Sequence, residues 1–166
     1  MTRASTFYAT DARDPDDHWF TGALATIRAA GKGTGGAMSI VEFLHPADYA
    51  TPPHVHHSAD EAFYVLQGAL TGFCGDSAYR AGVGDFVWLP RGVPHGYRAD
   101  GTELLRTLAI TLPSGFDEFV TALSEPAREH ALPAAAFLPD PDDFLAIATA
   151  HDMTILGPPG AGQDGR

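Results

Sequence analysis

Of the eight histidines in this 166-residue chain, four fall in two clusters. The first is His54-Val55-His56-His57, with Glu61 five residues beyond His56. Side chains alternate along a strand, so His54 and His56 would share one side while His57 points to the other. Glu61 opens the apolar run EAFYVLQ, where a lone carboxylate is costly to bury unless it is paired or bound to a cation. The second cluster is the segment GDFVWLPRGVPH, a strand and a Pro/Gly turn that deliver His95 at the start of the next strand. Three imidazoles and one carboxylate suit a divalent first-row transition metal and leave positions open for water, substrate or dioxygen. A closed structural zinc site would draw on cysteines, and Cys74 is the only one. The alternative is that PPHVHHS is a surface loop, since it reads as a turn as readily as a strand.

Short runs rich in β-branched and aromatic residues must position these groups. Between Trp19 and about Pro113 such runs alternate with Gly, Pro, Asp and His clusters at eight- to twelve-residue spacing, which predicts an all-β barrel or sandwich. Strands are expected near 20–29, 37–44, 54–57, 61–67, 69–74, 77–81, 85–89, 95–99 and 103–112. GKGTGG at 31–36 and Gly75-Asp76 suit hairpin turns. Beyond Pro113 the period becomes helical. Phe116, Phe119, Val120 and Leu123 follow i, i+3, i+4, i+7 behind Ser114 as a candidate cap. A second helix is expected over 141–150, with Pro141 in its first turn and Asp142 and Asp143 complementing its dipole. Residues 1–17 read as a flexible acidic arm, 18–113 as the barrel, and 114–166 as helices and a fraying tail packed on it.

Twenty-one acidic against ten basic residues give a formal charge of −11, the wrong sign for a nucleic-acid binder. No apolar run is long enough for a membrane span, and the N-terminal stretch lacks the apolar core of a signal peptide. One cysteine cannot form an internal disulfide, so a cytoplasmic location is expected.

The run PHVHHSADEAFYVLQG resembles the first motif of the cupin family: His-x-His, four residues, Glu, six residues, Gly, on His54, His56, Glu61 and Gly68. The run GDFVWLPRGVPH resembles the second: Gly, five residues, Pro-x-Gly-x-x-His, on Gly84, Pro90, Gly92 and His95. Chance agreement anywhere in a chain of this composition has odds on the order of 10⁻⁵. Two loop positions depart from the pattern, Asp48 where a glycine is usual and Ala99 where an asparagine is. Neither is a ligand position. Over residues 18–127 the chain is similar to small single-domain cupins of the quercetin-dioxygenase-like group.

The resemblance implies a double-stranded β-helix, the jelly-roll barrel, with two short C-terminal helices. It implies one divalent metal ion (iron, nickel, manganese, cobalt, copper or zinc) held by His54, His56, His95 and Glu61, with Glu61 also the catalytic base. Strand parity directs Phe63, Val65 and Tyr97 toward the metal. Trp88 is a further candidate for the substrate pocket, with its register unfixed. The expected activity is that of a quercetinase-like dioxygenase acting with O₂ on a flavonol-like or enolic aromatic small molecule. The alternatives are a metal-dependent isomerase or polyketide-type cyclase, and a non-catalytic small-molecule-binding cupin. A homodimer formed through N-terminal strands is expected. Neither nucleic acid nor membrane is an expected partner. His57 is expected to face solvent or sit behind the ligands. His18, His45, His130 and His151 are expected at the surface, and Arg91 in a surface ion pair.

Overall fold

The computed structural model describes residues 7, 9–13, 15–135 and 138–162. The expected arm and tail therefore lie partly outside the described residues. The first strand expected, 20–29, is divided in two. Thr21 and Gly22 take φ of 47° and 87°, turning the chain between β1 (Asp17–Phe20) and β2 (Ala23–Ala29). The GKGTGG segment forms a single helical turn, α1 (Gly31–Thr34), rather than a hairpin turn. A distant side chain fastens it, because the Gly31 N–H donates to Asp117 Oδ2 at 2.9 Å.

Eight strands follow: β3 (Ser39–His45), β4 (His54–His56), β5 (Asp60–Gln67), β6 (Ala69–Cys74), β7 (Ser77–Gly82), β8 (Phe86–Leu89), β9 (His95–Ala99) and β10 (Leu105–Leu112). The C-terminal part contributes α2 (Phe116–Ala122), β11 (Glu125–Pro126), α3 (Pro141–Ala150) and β12 (Met153–Ile155). Two sheets result, with strand orders β11-β1-β2-β3-β10-β5-β8 and β12-β4-β9-β6-β7. They face each other as a jelly-roll barrel, and the core lies between them. Among the described residues no helix is long and apolar enough to cross a membrane.

Alternation sets the inner face. On β10, Leu105, Thr107, Ala109 and Thr111 are buried while Arg106, Leu108, Ile110 and Leu112 are only half-buried. Register carries that parity across the sheet, pairing Thr111 with Glu61, Ala109 with Phe63 and Thr107 with Val65. It also places Ala62 opposite Trp88 and Tyr64 opposite Phe86 on the outer face. At the β5–β6 turn Gly68 has φ 73°. A Cβ there would lie 2.6 Å from the Leu104 carbonyl oxygen, so the motif glycine is a steric requirement of the hairpin.

The helices cap one end of the barrel. Gly115, not Ser114, takes the N-cap position of α2, and Asp117 Oδ1 accepts from the Gly115 N–H at 3.1 Å. The apolar stripe of this segment packs inward, with Phe119 5.9 Å from Phe20 and Phe116 6.1 Å from Phe43 between ring centroids. Asp140 caps α3, its carboxylate accepting from the N–H groups of Asp142 and Asp143 at 2.9 and 3.4 Å.

His45, expected at the surface, is 1% exposed. It lies on the inner face of β3 between the rings of Phe43 and Tyr49, at 5.1 and 4.3 Å. The Tyr97 hydroxyl meets its Nε2 at 2.8 Å. Burial pulls its pKa down to about 3, so this imidazole is neutral.

Candidate metal centre

Two adjacent strands and the start of a third supply the four candidate ligands. β4 presents His54 and His56 on one side, β9 begins with His95 opposite His54, and Glu61 stands near the start of β5 in the facing sheet. One potential ligand atom from each of the four lies within 4.8 Å of the others. Glu61 Oε2 is 3.1 Å from His95 Nε2 and 3.5 Å from His56 Nε2. The rings of His56 and His95 are nearly parallel at 5.4 Å, and His54 stands edge-on to His95 at 4.4 Å.

Backbone carbonyls fix two of the imidazoles. His54 Nδ1 is 2.9 Å from the Pro52 oxygen and His95 Nδ1 is 2.9 Å from the Val93 oxygen. A carbonyl only accepts, so each Nδ1 carries a proton, and Nε2 is the nitrogen that faces the cluster and would bind a cation once unprotonated. The Pro-rich stretches before each histidine thus do more than turn the chain. They hold the ring that follows them.

His56, Glu61 and His95 are 5%, 2% and 1% exposed. Burial alone would push the Glu61 carboxyl up. The imidazoles of His56 and His95 outweigh that, holding it below the usual carboxylate range. Burial, with the neighbouring His95 and His56, pulls His54 down to about 3. Burial would lower His95 as well, but its hydrogen bond to Glu61 raises it on balance. His56 Nε2 is buried without a hydrogen-bond partner. A buried nitrogen left unpaired among two neighbouring imidazoles and a carboxylate is an unmet demand that a divalent cation satisfies, so these residues fit such an ion.

A cavity of about 180 Å³ opens onto His56. Phe116, Phe119 and Met153 wall it, and Ser58 and His151 stand on its lining. The lining comes from α2 and the residues before it, the β4–β5 loop and the junction of α3 with β12, not from the residues that strand parity alone picks out. Phe63, Val65 and Tyr97 are inside the barrel, at 3%, 0% and 4% exposure. There they pack against one another and the core, with Phe63 and Tyr97 ring to ring at 4.9 Å. Trp88 is half exposed on β8 opposite Ala62, away from the 180 Å³ cavity, and lines a second cavity of about 450 Å³ with Cys74, Tyr79, Phe86 and Leu89. His151, expected at the surface, is partly exposed and stands on the lining of the smaller cavity. The helical spacing of Phe116 and Phe119 was visible in the sequence. Nothing local showed that their rings would reach the ligand strand.

His57 points away and meets Thr154 Oγ1 at 2.8 Å. Arg91 pairs with Asp60, Nη2 to Oδ2 at 2.6 Å. Cys74 lies half-buried opposite His95, and burial raises its thiol pKa.

Comparison with known proteins adds the following. Residues 40–111 match the family described as the cupin domain. Over 143 residues the chain is 28% identical to quercetin 2,3-dioxygenase of Bacillus subtilis, a match covering 86% of this chain and 42% of that relative. The chain thus spans about two fifths of the length of the curated relative it matches. Among solved structures, KdgF from Halomonas sp. superposes with a TM-score of 0.58 at 22% identity, over 68% of this chain and 99% of the other. An RmlC-like cupin from Shewanella frigidimarina gives 0.58 at 15% identity, over 68% and 96%. At such identities these two likenesses speak for the fold alone.

Proposed function

The chain belongs to the cupins through its residues 40–111, and on that premise we propose that it is a metal-dependent dioxygenase acting on a flavonol-like or other enolic aromatic small molecule. The observation that carries this reading is the convergence of His54, His56, Glu61 and His95 within 4.8 Å beside a cavity that Phe116, Phe119 and Met153 wall in part. The quercetin 2,3-dioxygenase relative supports the choice of chemistry. When bound, one divalent transition metal supplies Lewis acidity toward an enol or phenol oxygen together with open coordination positions. His54, His56, His95 and Glu61 would hold it.

The chain's own residues do the rest. The Glu61 carboxylate, kept ionised by its imidazole neighbours, accepts the proton of the substrate's enol or phenol hydroxyl. The carbonyls of Pro52 and Val93 keep two imidazoles aimed at the centre. Phe116, Phe119 and Met153 hold the planar ring and exclude water from it. Phe63, Val65 and Tyr97 close the floor beneath the ligands, the role in substrate binding that we assign them.

Glu61→Gln is the direct test, because the amide keeps the shape and an oxygen donor but removes the base. Turnover should fall about 100-fold or more, with oxygen uptake as the readout and metal content as the control. A variant that keeps both metal and full turnover removes the base role. Turnover by the parent protein that persists without oxygen would replace the dioxygenase reading with the isomerase or cyclase reading. The protein acts as a homodimer in this proposal. The apolar outer face of β5 and β8, where Tyr64, Leu66, Phe86 and Trp88 are all more than a third exposed, supports that assembly.

A further inference from the structure

His56 and His151 stand at the two ends of an aromatic wall. The His56 ring packs edge-on against Phe116 at 5.8 Å, Phe116 lies nearly parallel to Phe119 at 5.7 Å, and His151 packs edge-on against Phe119 at 5.9 Å. All four line one cavity, which reaches the ligand cluster at His56. His151 is held firmly there. Its backbone N–H is the C-cap of α3, and the next residue, Asp152, takes a left-handed φ of 55° that swings the chain into β12. The Asp152 carbonyl then accepts from the His57 N–H at 2.9 Å, tying this corner to the ligand strand. A non-glycine residue with positive φ is an uncommon conformation, and here it fixes which way the junction faces. Among the described residues the His151 imidazole has no hydrogen-bond partner, although its ring is packed and only partly exposed.

Size narrows what can lie along this wall. The cavity volume, about 180 Å³, is below the roughly 300–1,000 Å³ of pockets that enclose drug-sized ligands. One substituted ring fills it. A three-ring flavonol would extend beyond it.

We propose that His151 is the specificity-determining residue of this site, hydrogen-bonding the distal oxygen of a compact single-ring enolic or phenolic substrate whose chelating oxygens face His54, His56, Glu61 and His95. The inference rests on the metal-centre reading and narrows its substrate class. His151 touches the substrate and takes no part in the proton transfer assigned to Glu61. The ring lies flat against Phe116 and Phe119, and its far substituent ends at the imidazole.

The test is binding, measured by calorimetry on the zinc-loaded full chain, so that no redox turnover intrudes. The probes are kojic acid, a one-ring chelating hydroxypyranone with a distal hydroxymethyl group, its deoxy counterpart with methyl in that place, and a flavonol. Kojic acid should bind at least tenfold more tightly than the flavonol. His151→Phe should weaken kojic acid about tenfold, with zinc content and the circular dichroism spectrum unchanged, and leave the deoxy compound within twofold. His151→Gln, which restores a hydrogen-bonding group, should recover most of the loss. Tighter binding of the flavonol, or equal losses for both pyranones in His151→Phe, overturns the proposal while leaving the metal centre standing. A chain that takes up no zinc overturns both. Kojic acid binding without oxygen uptake by the iron-, nickel- or copper-loaded chain upholds this proposal and removes the dioxygenase reading alone.

Discussion

A carboxylate buried as deeply as Glu61 persists because imidazoles surround it, and each imidazole in turn owes its orientation to a neighbour. Replacing His95 by Ala removes the group nearest Glu61 and the one opposite His54. Bound metal should fall from about one equivalent to below a tenth, by elemental analysis of protein purified without an affinity tag, and His54→Ala should do the same. Retention of a full equivalent in both variants would remove these residues from the ligand set. A second residue-scale consequence lies deeper in the barrel. The folded protein keeps His45 neutral down to about pH 3, whereas the unfolded chain protonates it below about 6.5. The unfolded state thus binds more protons in that window, so stability is complete above pH 6.5 and is lost as the pH falls toward 3. At about 1.4 kcal/mol per pH unit, His45 alone accounts for about 2 kcal/mol between pH 7 and 5. Urea unfolding of His45→Gln should lack that component, and an equal loss in variant and parent would contradict it. The convergence of the four candidate ligands was legible in the two family motifs that carry them, whose spacing a β-strand turns into direction. His45 and His151 were not, since each is isolated in sequence and acquires its surroundings from elements far along the chain.

At the scale of elements, the strands between the turn signals were legible and the two outlying C-terminal strands were not. All eight strands from β3 to β10, three-residue β4 among them, fall within two residues of their expected limits. β11 and β12 have two and three residues and exist only through their pairing with β1 and β4. Segments so short carry no periodicity to read. The turn of α1 is equally non-local, depending on Asp117 for the bond to Gly31. Trp88 shows a different limit: β8 is too short to fix its own register, which its pairing with β5 decides. Tight turns, in contrast, have local signatures with steric causes. Gly68→Ala would force a Cβ against the Leu104 carbonyl at a positive φ, and we expect a loss of about 2–3 kcal/mol. Thermal unfolding should show this as a midpoint about 5–10 °C lower, with the metal content of the folded protein unchanged. An unaltered midpoint would mean that the hairpin relaxes freely.

Across the whole molecule, apolar surface is divided unevenly between the two sides of the larger sheet. Its inner face on β10 carries Leu105, Thr107, Ala109 and Thr111, whereas the bulkier Leu108, Ile110 and Leu112 look outward. On the same outer side Tyr64, Leu66, Phe86 and Trp88 are exposed, while β1, the strand first expected to pair between subunits, already has β2 and β11 as neighbours. The homodimer therefore forms through the outer face of β5 and β8 in our proposal. Sedimentation equilibrium at micromolar concentration should give twice the chain mass for the parent and a monomer for Phe86→Glu/Trp88→Glu. A monomeric parent, or a variant that still pairs, would count against this face. The barrel's smallest strands carry a different kind of consequence. Among the named strands, β4 is joined to β9 through the single pair His54 and His95, and its other edge is covered by β12 over three pairs. During synthesis, His54 and His56 leave the ribosome roughly a hundred residues before Met153–Ile155, about 5–20 s at ordinary elongation rates. The strand that presents two of the four candidate donors gains its full support only when that late segment arrives, so, on the metal-centre proposal, a nascent chain has little grip on whichever cation it meets first, and selection of the ion falls to the finished protein.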